Sequence, residues 1–257
     1  MLDSLSVRVL HVNTVSVLGV PFITYDEKWV YNQCVSFLAD DRPHMIITAG
    51  PEFVMNMRRT PHLLPVLAHA DFITPDGVGI VIASKWYGQA VAQRITGIEL
   101  AERLIAHAAE LDLRVFLLGA SPASLDQALK TLKNGYPQLH IAGKHGYFTD
   151  EQAASVIAEI RAVRPHLLLV GLGQPRQEVF IATHMDDLDV PLAIGVGGAI
   201  DVIGGTVRRA PAVFRKARLE WFYRLIREPR RWRRQLALPR FVWAAWTDAR
   251  RSARSLR

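Results

Sequence analysis

Along the first two hundred residues, short apolar runs alternate with longer segments whose apolar positions recur every three or four residues. The runs MIIT (45–48), DFIT (71–74), RVFLLG (114–119), LHIAG (139–143), HLLLVGLG (166–173) and LAIGVGG (192–198) read as strands. Between them the period becomes helical. Glu27 to Asp40 follows a Thr24/Glu27 capping box, and Gln152 to Val163 follows a Thr149/Gln152 box. Ile98 to Leu111 puts Ile98, Ala101, Leu104, Ile105 and Ala108 on one face. This alternation predicts an α/β fold: a Rossmann-like, mainly parallel sheet with helices on both faces.

In such sheets ligands lie beyond the carboxyl ends of the strands. This chain gathers its glycines and polar clusters there: TAGPE after 48, TPDGVG (74–79), GASP (119–122), GKHGYF (143–148), GLGQPRQE (171–178) and GVGGAID (195–201). Six such loops predict a cleft. The familiar nucleotide signatures do not account for it. No GxxxxGK[ST] occurs, and GVGGAI carries only part of a dinucleotide fingerprint and comes last in the chain.

Charge changes the picture at the other end. The chain carries a formal +7, but residues 207–257 hold 16 basic and 3 acidic residues, so the rest is net acidic. Four of the six tryptophans (Trp221, Trp232, Trp243, Trp246) share that stretch. The split predicts a core over 1–206 and a basic, helical C-terminal appendage over 207–257 that meets a polyanion or an anionic membrane. On a helical projection of 213–227, Phe214, Trp221, Phe222, Leu225 and Ile226 form an apolar arc that includes Arg218. No run of eighteen apolar residues occurs, and the N-terminus lacks the pattern of a signal peptide. With a single Cys34, these features predict a protein of a reducing compartment, cytosolic and soluble or attached to a membrane from outside the bilayer core.

Individual residues leave alternatives open. Asp76, between a strand and Gly77, could take a proton from an attacking hydroxyl or cap the helix that follows. Arg94 is a phosphate-binding cation or a surface arginine, and Thr96 could cap the helix after it. The GLGQPRQE turn offers backbone donors to a diphosphate, with Gln177 free for hydroxyls, or is a tight turn with Gln177 exposed. His145 is a loop residue or a ligand contact. Asp187-Leu188-Asp189 matches a metal-binding DxD pattern but falls at the wrong edge of the sheet. No His/Cys/Asp cluster has metal-ligand spacing, so the expected chemistry uses no metal and no cofactor.

Taken in order, nine pieces resemble one family. They are VLGVPF (17–22), ITAGPE (47–52), ADFITPDGVGIV (70–81), RITGIEL (94–100), RVFLLGASP (114–122), HGYF (145–148), LLLVGLGQPRQEVFI (167–181), IGVGGAIDVIGGTVRRAP (194–211) and LEWFYRLIREPRRWRR (219–234). Over nearly its whole length the chain is similar to the WecG/TagA/CpsF glycosyltransferases of bacterial cell-surface polysaccharide synthesis. The resemblance implies a metal-independent, inverting transfer from a UDP-sugar to an undecaprenyl-diphosphate-linked sugar at the inner face of the cytoplasmic membrane. It makes Asp76 the general base. Thr48 and Arg94 would line the donor pocket, and Gln177 would contact sugar or acceptor. The donor is expected against Gly77, Gly119, Gly171, Gly173, Gln174, Gly195 and Gly197, with Arg224, Arg231 and Arg234 completing the site from the appendage.

One departure bears on the donor. The family usually reads Thr-x-Asn where this chain reads Thr48-Ala49-Gly50, which favours a plain hexose such as glucose over an N-acetylhexosamine. The expected partners are the UDP-sugar, the lipid-linked acceptor and an anionic membrane, with self-association through core helices left open. Two rival readings use the tail alone, as a nucleic-acid arm or a membrane-surface scaffold. Neither explains Asp76, Arg94 and GLGQPRQE in register.

Overall fold

The structure is a computed structural model that describes residues 12–207, 209–211, 214, 223 and 237–255. Its centre is a six-stranded parallel sheet of β3 (His44–Ala49), β4 (Phe72–Pro75), β5 (Arg114–Gly119), β6 (His140–Lys144), β7 (Leu167–Gly171) and β8 (Leu192–Gly195). The spatial order is β4-β3-β8-β7-β5-β6. The boundaries of all six strands lie within three residues of the runs read from the sequence, and the expected Rossmann-like α/β architecture is the one observed.

Alternate strand residues serve opposite faces. Met45, Ile47, Phe116, Leu118, Leu168 and Val170 belong to one apolar core. Helices α2 (Pro51–Arg59), α3 (Val78–Ser84), α6 (Ala153–Val163) and α7 (Arg176–Leu188) contribute to that core. Ile46, Val115, Leu117, Leu167 and Leu169 belong to the other, together with α1 (Glu27–Leu38), α4 (Gly97–Glu110), α5 (Pro122–Gly135) and α8 (Ala199–Ile203). Because both faces are covered, strands such as β3 are buried at every position and read as unbroken apolar runs.

Three features differ from the sequence reading. A hairpin, β1 (Thr14–Val17) with β2 (Val20–Ile23), precedes the sheet and buries Val15, Val17, Val20 and Phe22 in the first core. The cap of α1 is Asp26, which accepts from the Trp29 amide at 2.8 Å, while the Thr24 hydroxyl turns away to donate to Asn13 O. The last helix, α9 (Ala237–Ser255), does not stand apart from residues 1–206: Phe241 and Ala245 are fully buried in the first core, and the Tyr87 hydroxyl donates to Asp248 at 2.9 Å. Burial of the Phe241 ring alone contributes about 1.5–3 kcal/mol. The outer side of α9 exposes Val242 and Trp243, and the Arg250 guanidinium covers the Trp246 ring at 3.7 Å. Arg218, Arg224, Arg231 and Arg234 lie outside the described residues, as do Trp221 and Trp232.

Candidate active site

The carboxyl ends of β4, β3, β8 and β7 open into a cleft of about 490 Å³. Its floor is Thr48, 4% exposed, whose hydroxyl donates to Gly195 O at 2.7 Å and whose carbonyl accepts from Gln174 Nε2 at 2.9 Å. These two bonds tie β3 to β8 and to the turn before α7.

Asp76 follows β4 and sits half-buried on the wall. Its amide donates to Ala49 O at 2.8 Å, which continues the parallel ladder past the strand. The N-cap of α3 (Val78–Ser84) is Gly77, which has no side chain to cap with. Asp76 Oδ2 accepts from the Gly97 amide at 3.2 Å, the first amide of α4. The positive end of the α4 dipole therefore faces the carboxylate and favours its charge. The β3–α2 loop comes very close here. A Cβ on Gly50 would lie 2.5 Å from Asp76 O, so the position read as a departure from the family pattern has no room for a side chain unless the Asp76 backbone moves.

Arg94 lines the cleft and is half-buried, and Thr96 next to it caps α4, accepting from the Glu99 amide at 3.2 Å. Thr96 also donates to Glu99 Oε2, and Glu99 Oε1 pairs with Arg209 at 2.6 Å. Arg209 reaches Glu102 as well, so the chain entering the basic stretch is clamped to the first turns of α4.

The opposite wall is the Val196–Ala199 loop with Leu172, Gly173 and Gln174. Among the residues expected at the site, Thr48, Asp76, Gly77, Arg94, Gly173, Gln174 and Gly197 line this one cleft. Gly119, Gly171 and Gly195 do not. They lie one layer back, where backbones or side chains cross too closely for a Cβ: on Gly171 it would stand 2.6 Å from Gly197 O, on Gly195 2.7 Å from Gln177 Nε2, and on Gly119 against Gly171 O. Gln177 is fully buried behind the wall, neither exposed nor in the cleft. Its Oε1 accepts from the Gly197 amide at 3.0 Å, and its Nε2 donates to Glu178 Oε1 at 2.8 Å. His145 is outside the lining and accepts from the Tyr147 amide. Asp189 lies on the far edge, beside a groove lined by Arg114 and His166.

The sequence reading missed Arg176, Glu52 and Asp201, which also line the cleft. Arg176 spends its guanidinium on Gly146 O (3.2 Å) and Phe148 O (2.7 Å) and stacks over the Phe148 ring. The signal was its place between Pro175 and Gln177, read only for its backbone. Among the described lining residues, three carboxylates (Glu52, Asp76, Asp201) face two guanidinium groups (Arg94, Arg176). No group of three His, Cys, Asp or Glu side chains is placed to hold a metal ion among the described residues.

A family model described as Glycosyl transferase WecG/TagA/CpsF family matches residues 15–255. The chain is 37% identical over 220 residues to an N-acetylglucosaminyldiphosphoundecaprenol N-acetyl-beta-D-mannosaminyltransferase of Bacillus spizizenii, covering 85% of each chain. It is 34% identical over 231 residues to an enzyme of the same description from Staphylococcus aureus, covering 89% of this chain and 91% of the relative.

Proposed function

Because the chain belongs to the WecG/TagA/CpsF family of glycosyl transferases, we propose that its cleft moves a hexose from a UDP-sugar to a sugar carried on undecaprenyl diphosphate, with inversion and without a metal. One observation carries this reading: Asp76, Thr48, Arg94, Gln174 and the glycine-lined start of α7 converge on a single cleft. Asp76 takes the proton of an acceptor hydroxyl while its oxygen attacks the anomeric carbon. The bond to the UDP oxygen breaks on the opposite face, and UDP leaves with the electron pair. The growing diphosphate charge is met by Arg94 and by Arg224, Arg231 and Arg234 of the basic stretch, since guanidinium groups bind phosphate oxygens in pairs. Gln174, held by Thr48 O, borders the donor.

Two observations support the role of the basic stretch. The described chain leaves the cleft at Val207 and returns to it at Ala237 and Leu238, so both ends of the stretch are anchored at the cleft mouth. The described lining carries more carboxylates than guanidinium groups, so a diphosphate needs cations from elsewhere. The exposed Trp243 and Val242 beside Arg250 suit the headgroup region at the inner face of the cytoplasmic membrane, where such an acceptor is presented. No helix among the described residues is long and apolar enough to cross a membrane.

Crowding at Gly50 supports a donor without an acetamido group, such as UDP-glucose, because the position offers no side chain to bond one. The activity for which the Bacillus and Staphylococcus relatives are named favours a second reading, UDP-N-acetylmannosamine with an N-acetylglucosamine acceptor. A screen of UDP-sugars against undecaprenyl-diphosphate-linked monosaccharides, read by product mass, decides between them. Transfer of glucose is the expected outcome. Transfer of N-acetylmannosamine alone establishes the second reading, and no transfer from any UDP-sugar refutes both.

A further inference from the structure

Behind the cleft wall lies a buried polar pair that the transfer mechanism leaves unused. Gln177 and Glu178 occupy the first turn of α7 and are both 0% exposed. Gln177 bridges two partners: its oxygen accepts from the Gly197 amide at 3.0 Å, and its nitrogen donates to Glu178 Oε1 at 2.8 Å. Gly197 is in the left-handed region, φ 55°, and lines the cleft.

A glutamine amide has a donor end and an acceptor end of nearly the same shape. Turned over, the Gln177 amide would set its NH2 against the Gly197 N–H, two donors facing each other. The Gly197 amide alone favours one orientation weakly. In its ionised form, above its raised pKa, the Glu178 carboxylate only accepts, so it selects the same orientation from the other side, and with a charge-assisted bond. We propose that Glu178 is a positioning residue of the transfer site: by accepting from Gln177 it fixes the amide that holds the Gly197 backbone, and with it the wall against which the donor lies. This rests on the transferase reading for its kinetic consequence, not for the relay itself.

The cost of the arrangement argues for such a task. Glu178 Oε2 is buried with no hydrogen-bond partner. Burial raises the Glu178 carboxyl to about 7, against the opposing pull of Gln177, its own backbone amide and Gln174. An apolar side chain of the same length would fill this space without stranding an oxygen. The same neighbourhood reaches the floor, since Gln174 donates to Thr48 O.

The test uses the full chain labelled with 15N-glycine, and reads both hydrogen exchange at the Gly197 amide and steady-state kinetics. Glu178→Met removes the acceptor. The expected result is exchange at Gly197 faster by about tenfold and a UDP-sugar KM raised by about tenfold, the scale of one buried charge-assisted hydrogen bond. Glu178→Gln keeps an acceptor oxygen and should stay within about threefold of the parent on both readings. Should Glu178→Met fail to fold, Gln177→Glu alone, which sets two carboxylates face to face, is compared with Gln177→Glu combined with Glu178→Gln, which restores one donor facing one acceptor. The pair should recover Gly197 protection and KM that the single change loses. Unchanged protection in Glu178→Met, lost protection with an unchanged KM, or a pair no better than the single change overturns the proposal. If the parent chain transfers no sugar, the transferase reading fails, and the exchange at Gly197 still judges the relay.

Discussion

Asp76→Asn separates the proton acceptor from the scaffold around it. Asp76 Oδ2 accepts from the Gly97 amide at 3.2 Å, and that amide, the first of α4, has no partner within its own helix. Alanine at this position would strand the donor at about 1–3 kcal/mol and confuse lost chemistry with lost structure. Asparagine presents an oxygen in the same place. What it removes is one negative charge at the α4 N-terminus, about 0.3–1 kcal/mol of stability, and the ability to take a proton. A positioned general base contributes about 10²–10⁴ in rate, or roughly 2.7–5.5 kcal/mol of barrier. The kinetic effect therefore exceeds the structural one several-fold. The assay is turnover with a water-soluble acceptor at saturating UDP-sugar, alongside calorimetric binding of UDP and thermal denaturation. The expected outcome is kcat reduced at least a hundredfold with UDP affinity and melting temperature nearly unchanged. Retention of more than about a tenth of the parent kcat refutes Asp76 as the base. Loss of UDP binding together with turnover would move Asp76 from proton transfer to donor binding.

Phe241→Ala tests whether α9 is part of the core. Phe241 is fully buried and packs beside Gly79 of α3, so the truncation should cost about 3–5 kcal/mol and lower the melting temperature by roughly 6–20 °C; a loss below about 1 kcal/mol would mean the helix opens independently of the sheet. His44, at the opposite edge of the sheet, bonds Asp71 and Asp40 at 3.0 Å each and stacks on Phe37. Burial alone would lower its pKa, but the two carboxylates outweigh it and hold it above the ordinary 6.5. Its contribution to stability is thus fully present below pH 6.5 and lost as pH rises through the raised folded value. Denaturant unfolding of the parent should weaken relative to His44→Gln across that window, and parallel pH profiles for the two proteins contradict the assignment.

The sheet was legible because both its faces are covered: strands buried on two sides become unbroken apolar runs, and their length separates them from helices. The hairpin was not, and Leu18 shows why. Leu18 and Gly19 both adopt positive φ in the turn, where Asn-Gly is the recognisable signal and a leucine hides it. At α1 two capping oxygens compete within three residues. The chain enters the helix at Asp26, and Thr24 is already engaged with Asn13. At the site, glycines at strand ends located the cleft, yet sequence could not tell a glycine that faces a ligand from one that lets two backbones cross. Gly197 lines the cleft, whereas Gly171 lets two backbones cross. Gln177 and Glu178 escaped for a related reason: polar residues in a first helical turn read as exposed, and only the crossing of β8 and α7 buries them. In α9 the tryptophans and arginines drew attention to the outer side, while Phe241, Ala245 and Ala249, four apart, mark the stripe that packs inward.

That inward stripe changes how the basic stretch should be understood. A tail tethered at one end can bring cations to a cleft only at the low effective concentration of a loose chain. Here the near end is clamped by Arg209 to Glu99 and Glu102, and the far end is fixed by Leu238 against Gly79 and by Phe241 in the core. Arg234 is three residues before Ala237, which lines the cleft, and three residues of chain span at most about 10 Å. On the proposed transferase reading, connection to a packed helix keeps this cation within that reach of the cleft lining, whether or not a membrane is present. Detergent-free turnover with a soluble acceptor should survive removal of the exposed Trp243 ring in Trp243→Ala, whereas association with anionic vesicles should weaken. A Trp243→Ala chain that loses soluble turnover while keeping its fold would show that the two functions of the appendage are not separable in this way.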